Sequence, residues 1–433
     1  MSIAKMCRWI AVLSSFLFGF YSGIACADEG VETTKALLHR IDALEQKVES
    51  LNRKLEVQST LEATKIGEEI VEKKVQAALD KRKDVVSQTI CQLKDTTLSG
   101  FVDTSYTHTL QGPDSRVNTA RVFDTEANNF NVQAAELVLE KLPPDEGGVG
   151  FRTDLYFGQD AEVITPTGSS RDQFDLEQAY ISLRPPPVCN LPFGCWKWLK
   201  IGKFVTMHGA EVIEAKDNWN FTRSILFGYA IPFTHTGLRA GYTLCNGLDG
   251  YVGIVNGWDN VKDNNKTKSV EAALGWTATE KLSFNLAGMY GPEQTSNDHS
   301  QRALIDFITT YKLHPKWTLM LNADYGHDED VIAPGKNGAW SGVAGYVKYD
   351  MTDKFSLISR TEFFSDRQGL RVTSGTAQDL WETTFTAELR PYKDLITRLE
   401  YRHDASSSNI FSRNTSEITG RQDTIGLEAI YAF

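Results

Sequence analysis

The dipeptides His327-Asp328 and His403-Asp404 set an imidazole beside a carboxylate, the combination that general acid–base chemistry uses. Neighbours on an extended chain point to opposite faces, so neither dipeptide is a working pair if it lies in a strand. No Gly-x-Ser-x-Gly sequence offers a nucleophile. No Cys or His falls at Cys-x-x-Cys or His-x-x-x-His spacing for a transition metal. The expectation is a protein that is not an enzyme and uses neither a metal nor a cofactor.

The other chemistry on offer is electrostatic. Glu211, Glu214, Asp217 and Arg223 crowd one stretch between residues 207 and 236, where the chain is too long and too apolar for an ordinary loop. Further on, Arg360, Arg390, Arg398 and Arg402 stand at alternate positions among Glu362, Glu382, Glu388, Glu400, Asp404 and Glu428. Charges of both signs on one face suit a wet wall and not a dry core. Either they neutralise one another along that wall, or they select among passing ions.

The elements that carry these charges read as strands. Trp381, Thr383, Phe385, Ala387 and Leu389 alternate with Glu382, Thr384, Glu388 and Arg390, and Leu395, Thr397, Leu399 and Tyr401 with Ile396, Arg398, Glu400 and Arg402. The same period of two marks Phe151 to Phe157, Leu282 to Ala287, Trp317 to Tyr325 and the end of the chain, where Ile425, Leu427, Ala429, Tyr431 and Phe433 share a face. A terminal strand closing on an aromatic resembles the β-signal of bacterial outer-membrane barrels.

Connections alternate in length. Short turns lie at Pro143 to Gly147, Asn246-Gly247, Thr277 to Glu280, Leu313 to Lys316, Met351 to Lys354 and Tyr392 to Asp394. Longer polar loops lie at Gln111 to Asn129, Gln159 to Gln173, Trp258 to Thr267, Pro292 to Ser300, Asp328 to Asn337, Ser365 to Ala377 and Ala405 to Gly420. That is the up-and-down transmembrane pattern. Trp198, Trp276 and Trp317 gather on the short-turn side, and Tyr290, Tyr325, Trp340 and Trp381 on the long-loop side, as two interfacial girdles. The expected fold is an all-β transmembrane barrel of about sixteen antiparallel strands over residues 96–433. A soluble sandwich is the competing reading, and an extra hairpin could hide between Met207 and Thr236.

The first 95 residues differ. Lys5 and Arg8 precede an apolar run from Trp9 to Phe20, and Ala25-Cys26-Ala27 fits a cleavage site, so residues 1–27 read as a signal peptide. Acylation at Cys26 is the alternative. Residues 28–95 read as a periplasmic α-helical coiled-coil segment, since Leu37, Ile41, Leu44, Val48, Leu51 and Leu55 step by three and four. A single amphipathic helix packed on, or plugging, something else is the alternative. Cys91, Cys189, Cys195 and Cys245 then remain in an oxidising compartment, with Cys189 and Cys195 the first choice for a disulfide around a short Pro- and Gly-containing loop. All four are expected at the periplasmic rim.

Ile201-Gly202-Lys203-Phe204, Gly209-Ala210-Glu211-Val212-Ile213, Asp217-Asn218, Thr222-Arg223-Ser224 and Tyr229-Ala230-Ile231-Pro232-Phe233-Thr234-His235-Thr236-Gly237 together resemble the OmpL-like putative beta-barrel porin family. The resemblance implies a bacterial outer-membrane porin whose long third loop folds toward the lumen. There Glu211, Glu214 and Asp217 would give negative potential and Arg223 could anchor the loop to a wall carboxylate. With a formal charge of −11 and no nucleic-acid partner expected, the reading is a weakly cation-selective channel for small hydrophilic solutes or ions, as a homotrimer in outer-membrane lipid. A structural anchor gripping the cell wall through the coiled coil is the second reading, and an outer-membrane hydrolase the third.

Overall fold

The computed structural model describes residues 95–186, 195–372, 375–414 and 417–433, the helical run Lys73–Arg82, and Arg40, Ala43, Gln46, Lys47 and Ser50. The chain divides into two units, Met1–Leu98 and Ser99–Phe433. In the first unit the described residues Lys73–Arg82 are helical. The signal peptide, the proposed heptad seam, Cys91 and Cys189 lie outside the described residues.

The second unit is a closed barrel of sixteen antiparallel strands. In chain order these are β1 (Thr96–Thr109), β2 (Asn129–Lys141), β3 (Gly148–Phe157), β4 (Phe174–Arg184), β5 (Cys195–Val205), β6 (Thr234–Cys245), β7 (Leu248–Val255), β8 (Ser269–Thr279), β9 (Leu282–Pro292) and β10 (Gln301–His314). They continue as β11 (Trp317–Ala333), β12 (Lys336–Thr352), β13 (Phe355–Asp366), β14 (Gln378–Tyr392), β15 (Leu395–Ser406) and β18 (Arg421–Ala432). A two-stranded ribbon in the last loop, β16 (Phe411–Ser412) and β17 (Ile418–Thr419), stands outside the barrel sheet.

Closure joins the ends of this unit. β18 pairs with β15 on one side and β1 on the other. Gly100 and Phe433 exchange backbone bonds of 3.1 and 3.0 Å. The terminal alternation therefore supplies the closing strand, whose Ile425, Leu427 and Tyr431 are exposed while Gln422, Thr424 and Glu428 are buried.

That inversion repeats around the barrel. Ile305, Val343, Leu357, Phe385 and Leu399 point outward, whereas Asp306, Arg360, Glu382, Arg398 and Glu400 are buried on the inner face. An apolar exterior with a charged interior suits hydrocarbon outside and a polar lumen inside. Closing the sheet leaves no unpaired edge, which hydrocarbon would not tolerate.

Several connections differ from the sequence reading. No hairpin interrupts residues 206–233, which form the third loop. The expected loop from Asp328 to Asn337 is instead the tip of a long hairpin, with Ala333 paired to Lys336. Pro334 presets one φ of that turn and Gly335 takes the positive φ of 73°, so two residues suffice to reverse the chain. Trp340 does not join a girdle. It faces inward, fully buried, and the Cβ of any larger residue at Gly326 would strike its ring. Trp276, Trp317, Tyr290, Tyr325 and Trp381 are exposed as a girdle requires.

Cys195 is disulfide-bonded and Cys245 is a free, exposed thiol at the Asn246-Gly247 turn, so the four remaining cysteines are not all paired. The Cys189–Cys195 pairing falls on a residue outside the described ones.

Candidate functional site

The third loop lies against the inner faces of the late strands, and its own backbone explains why. Residues 206–233 contain two single-turn elements, a 3-10 turn at Ala215–Asp217 and a π turn at Leu226–Ala230. The rest has no regular structure, so its N–H and C=O groups need partners wherever they are buried. The barrel wall supplies them.

Glu400 on β15 accepts from the Phe221 and Thr222 amides at 2.8 and 3.0 Å and from the Thr222 hydroxyl. Glu362 on β13 accepts from the Ile225 and Leu226 amides at 2.7 and 3.2 Å. Three arginines do the converse. Arg360 donates to the Thr222 carbonyl at 2.6 Å, Arg398 to those of Ala215 and Asn218, and Arg402 to that of Arg223 at 2.6 Å. At the mouth the Trp340 indole N–H donates to the Ala230 carbonyl at 3.0 Å.

The same wall groups bind each other across strands. Arg360 pairs with Glu382 at 3.1 Å, Arg398 with Glu388 at 2.9 Å and Glu428 at 2.7 Å, and Arg402 with Glu382 at 3.7 Å, besides Asp404 of its own strand at 2.8 Å. Their register explains the ladder: Glu388 lies opposite Arg398, and Arg398 opposite Glu428. Charge-assisted bonds of this kind are roughly twice as strong as neutral ones, and buried they hold geometry firmly.

The expected site residues are thus separated by environment. Glu211 is buried, accepting from the Ser224 amide at 2.6 Å and from Arg360 at 2.7 Å, so its charge is spent inside the loop. Glu214 is half-buried. Asp217 is exposed and paired with Lys216 at 2.5 Å. Arg223 does not reach a wall carboxylate. It donates instead to the Val212, Phe221 and Ile213 carbonyls of its own loop and lies 4.9 Å over the Phe123 ring. Arg360, Arg398 and Arg402 are buried with Glu400 beneath the loop, while Arg390 is partly exposed and pairs with Glu388 at 2.9 Å.

The first loop also enters this assembly, which the sequence reading missed. Arg121 pairs with Asp404 at 2.5 Å and with Asp124, and the Tyr229 hydroxyl donates to the Arg121 carbonyl. Phe123 packs 5.7 Å from both Phe227 and Phe233. An Arg–Val–Phe–Asp run inside an otherwise polar loop, Arg121 to Asp124, was the available signal.

The adjoining wall, β1 to β4, has another character. Asp103, Glu136 and Glu177 are buried, and among the described residues Asp103 Oδ1 and, apart from each other, the carboxyl groups of Glu136 and Glu177 have no hydrogen-bond partner. Asp160, in a short helix at Gln159–Ile164, borders them. Burial pushes its carboxyl up to about 8 against the opposing pull of Arg223. In the third loop, burial pushes the His208 imidazole down to about 3, with His235 adding to the shift.

The acid–base pairs seen in the sequence separate as strand geometry requires. His403 bonds Asp423 at 2.7 Å, while Asp404 turns inward to Arg121 and Arg402.

The family model described as putative beta-barrel porin-2, OmpL-like, matches residues 95–433. No curated protein sequence matches. Among solved structures, the outer membrane channel DcaP of Acinetobacter baumannii is similar at 13% identity and a TM-score of 0.54, over 78% of this chain and 97% of that one. The anion-selective porin from Comamonas acidovorans is similar at 10% identity and a TM-score of 0.54, over 78% and 99%. OmpT of Vibrio cholerae in its trimer form is similar at 10% identity and a TM-score of 0.52, over 78% and 99%. At these identities the likeness is one of fold.

Proposed function

The chain belongs to the OmpL-like putative beta-barrel porin family, and from that premise we propose that this outer-membrane porin forms a water-filled channel for small hydrophilic solutes or ions, narrowed by its third loop. The observation that carries the reading is the set of wall-to-loop bonds from Glu362, Glu400, Arg360, Arg398 and Arg402, which hold a long loop inside the barrel at fixed height. A loop so held narrows a wide barrel and brings side chains close to whatever passes, where low-dielectric walls focus the field.

The channel is weakly cation-selective. Among the expected constriction residues, Glu211 is neutralised by Arg360, and Asp217 by Lys216. What remains unpaired is Glu214 together with the carboxyl groups of the β1–β4 wall. Selectivity therefore rests more on Asp103, Glu136 and Glu177 than on the loop carboxylates of the sequence reading.

Homotrimer assembly, a periplasmic N-terminal segment, a cleaved signal peptide and the Cys189–Cys195 disulfide complete the proposal. The test is planar-bilayer recording with full-length protein. Stepwise conductance with a cationic reversal potential in a salt gradient is expected. An absence of steps would return the barrel to a structural anchor, and an anionic reversal potential would overturn the selectivity. A monomeric mass in mild detergent would exclude the trimer.

A further inference from the structure

We propose that Glu136, Glu177 and Glu214 form a calcium site that ties the third loop to the β2–β4 wall. One carboxylate oxygen from each residue lies within 4.8 Å of the others. Oxygens on opposite sides of a Ca2+ ion at about 2.4 Å are about 4.8 Å apart, so the cluster has the span of one coordination sphere. The three residues come from β2, from β4 and from the first residue before the 3-10 turn of the third loop.

Three further observations point to a ligand. First, apart from each other the Glu136 and Glu177 carboxyl groups meet no hydrogen-bond partner among the described residues, though both side chains are almost wholly buried. A carboxylate in that position is costly unless a cation or a donor meets it. Second, the Tyr156 hydroxyl is buried without a partner. Tyr156 lies directly opposite Glu136 in register, on the same face, and within electrostatic reach of Glu136 and Glu177.

Third, the backbone is bent to present Glu177. Asp154 pairs with Gln178 but Leu155 with Leu176, so Glu177 is the extra residue of a β-bulge, and Glu177 and Gln178 both face inward. Bulges re-aim side chains in this way beside functional sites.

Nearby cations are already engaged. Lys216 pairs with Asp217 at 2.5 Å, Arg152 with Asp154 at 2.9 Å, and Arg223 donates to loop carbonyls. An all-oxygen, all-carboxylate set calls for a hard cation. Ca2+ accepts the irregular geometry of three separate elements, where Mg2+ would demand an octahedron. Water and the Tyr156 hydroxyl can fill the remaining positions.

The test uses full-length protein in detergent, stripped with EDTA, so its outcome does not depend on whether the channel conducts. Titration calorimetry with Ca2+ should give one saturable site. Tb3+ should bind in competition with Ca2+ and luminesce on excitation of tyrosine. Glu136→Gln with Glu177→Gln should abolish binding, Glu214→Gln should weaken it at least about tenfold, and Glu146→Gln, in an exposed turn, should leave it unchanged. Tyr156→Phe should reduce the luminescence. No saturable Ca2+ binding by the unmodified protein overturns the proposal, whatever the variants do. Equal binding by the double variant, its fold checked by heat-modified mobility, overturns it too, as binding to scattered surface carboxylates.

Discussion

The wall built from β13, β14, β15 and β18 and the wall built from β1 to β4 face the same lumen with the same residue types, yet they end in opposite states. On the first, Arg360, Arg398 and Arg402 meet Glu382, Glu388, Asp404 and Glu428, while Glu362 and Glu400 take loop amides. On the second, Arg152 serves Asp154, and Asp103, Glu136 and Glu177 keep oxygens with no donor among the described residues. The difference lies in the backbone: the third loop brings unpaired N–H and C=O groups to the first wall, which give hydrogen-bond partners to charges that no side-chain count would pair. A paired wall positions the loop, and an unpaired wall is left with carboxyl groups that no neighbouring donor meets.

The sharpest way to break this contrast is to empty the paired wall. Arg360→Ala strands Glu211 and Glu382 and frees the Thr222 carbonyl, at a cost of about 3–5 kcal/mol for a buried partner lost. Arg390→Ala removes a partly exposed pair worth about 0–1 kcal/mol. Urea unfolding followed by tryptophan fluorescence should separate the two variants, and bilayer recording should show larger or noisier steps for Arg360→Ala alone. Equal behaviour would mean that Arg360 does not hold the loop.

Next in size is the effect of discharging the unpaired wall. In EDTA-treated protein, Glu136→Gln with Glu177→Gln removes two carboxylates that lack donors, so the reversal potential in a salt gradient should move toward neutrality while thermal stability holds or rises. The shift should shrink in high salt, as the Debye length falls from about 10 Å at 0.1 M. A variant pore as cation-selective as the parent would put the selective charge elsewhere.

How much of this was legible follows from what each signal measures. The strand faces were readable, because alternation reports which side meets hydrocarbon, and Arg398, Glu400 and Arg402 do turn inward as their spacing required. The β4 bulge was also readable in principle: the outward apolar positions Phe174 and Leu176 resume at Ala179, Ile181 and Leu183, a step of three in a period of two. Trp340 misled because an aromatic near a strand end looks the same whether it faces lipid or caps a loop inside. The fate of the charges was not legible. Counting arginines against carboxylates omits the loop peptide groups that Glu362 and Glu400 bind, and nothing in the sequence placed Arg121 against Asp404.

A finer cut separates two residues that the sequence treats alike. Glu211→Gln should leave the reversal potential nearly unchanged, since Arg360 already neutralises that carboxylate, but should loosen the loop. Glu214→Gln, half-buried beside Glu136 and Glu177, should move the potential toward neutrality. Reversal potentials of the two single variants decide it, and equal shifts would mean that Glu211 faces the lumen after all.

The smallest expected effect is a pH dependence at the edge of the unpaired wall. Asp160 is buried, and that burial raises its carboxyl to about 8 from an ordinary 3.8, with Arg223 opposing and Glu428 and Asp124 reinforcing the shift. The folded chain therefore binds a proton there that the unfolded chain has released, so any stability this provides is present at low pH and is lost as pH rises through about 8. Above that point one more negative charge stands near Asp103. Between pH 7 and 9 the cationic reversal potential should grow slightly, and Asp160→Asn should reduce the increment without changing the potential at pH 6. If the increment is undiminished in Asp160→Asn, Asp160 does not titrate in this range and the boundary between the two walls has been drawn in the wrong place.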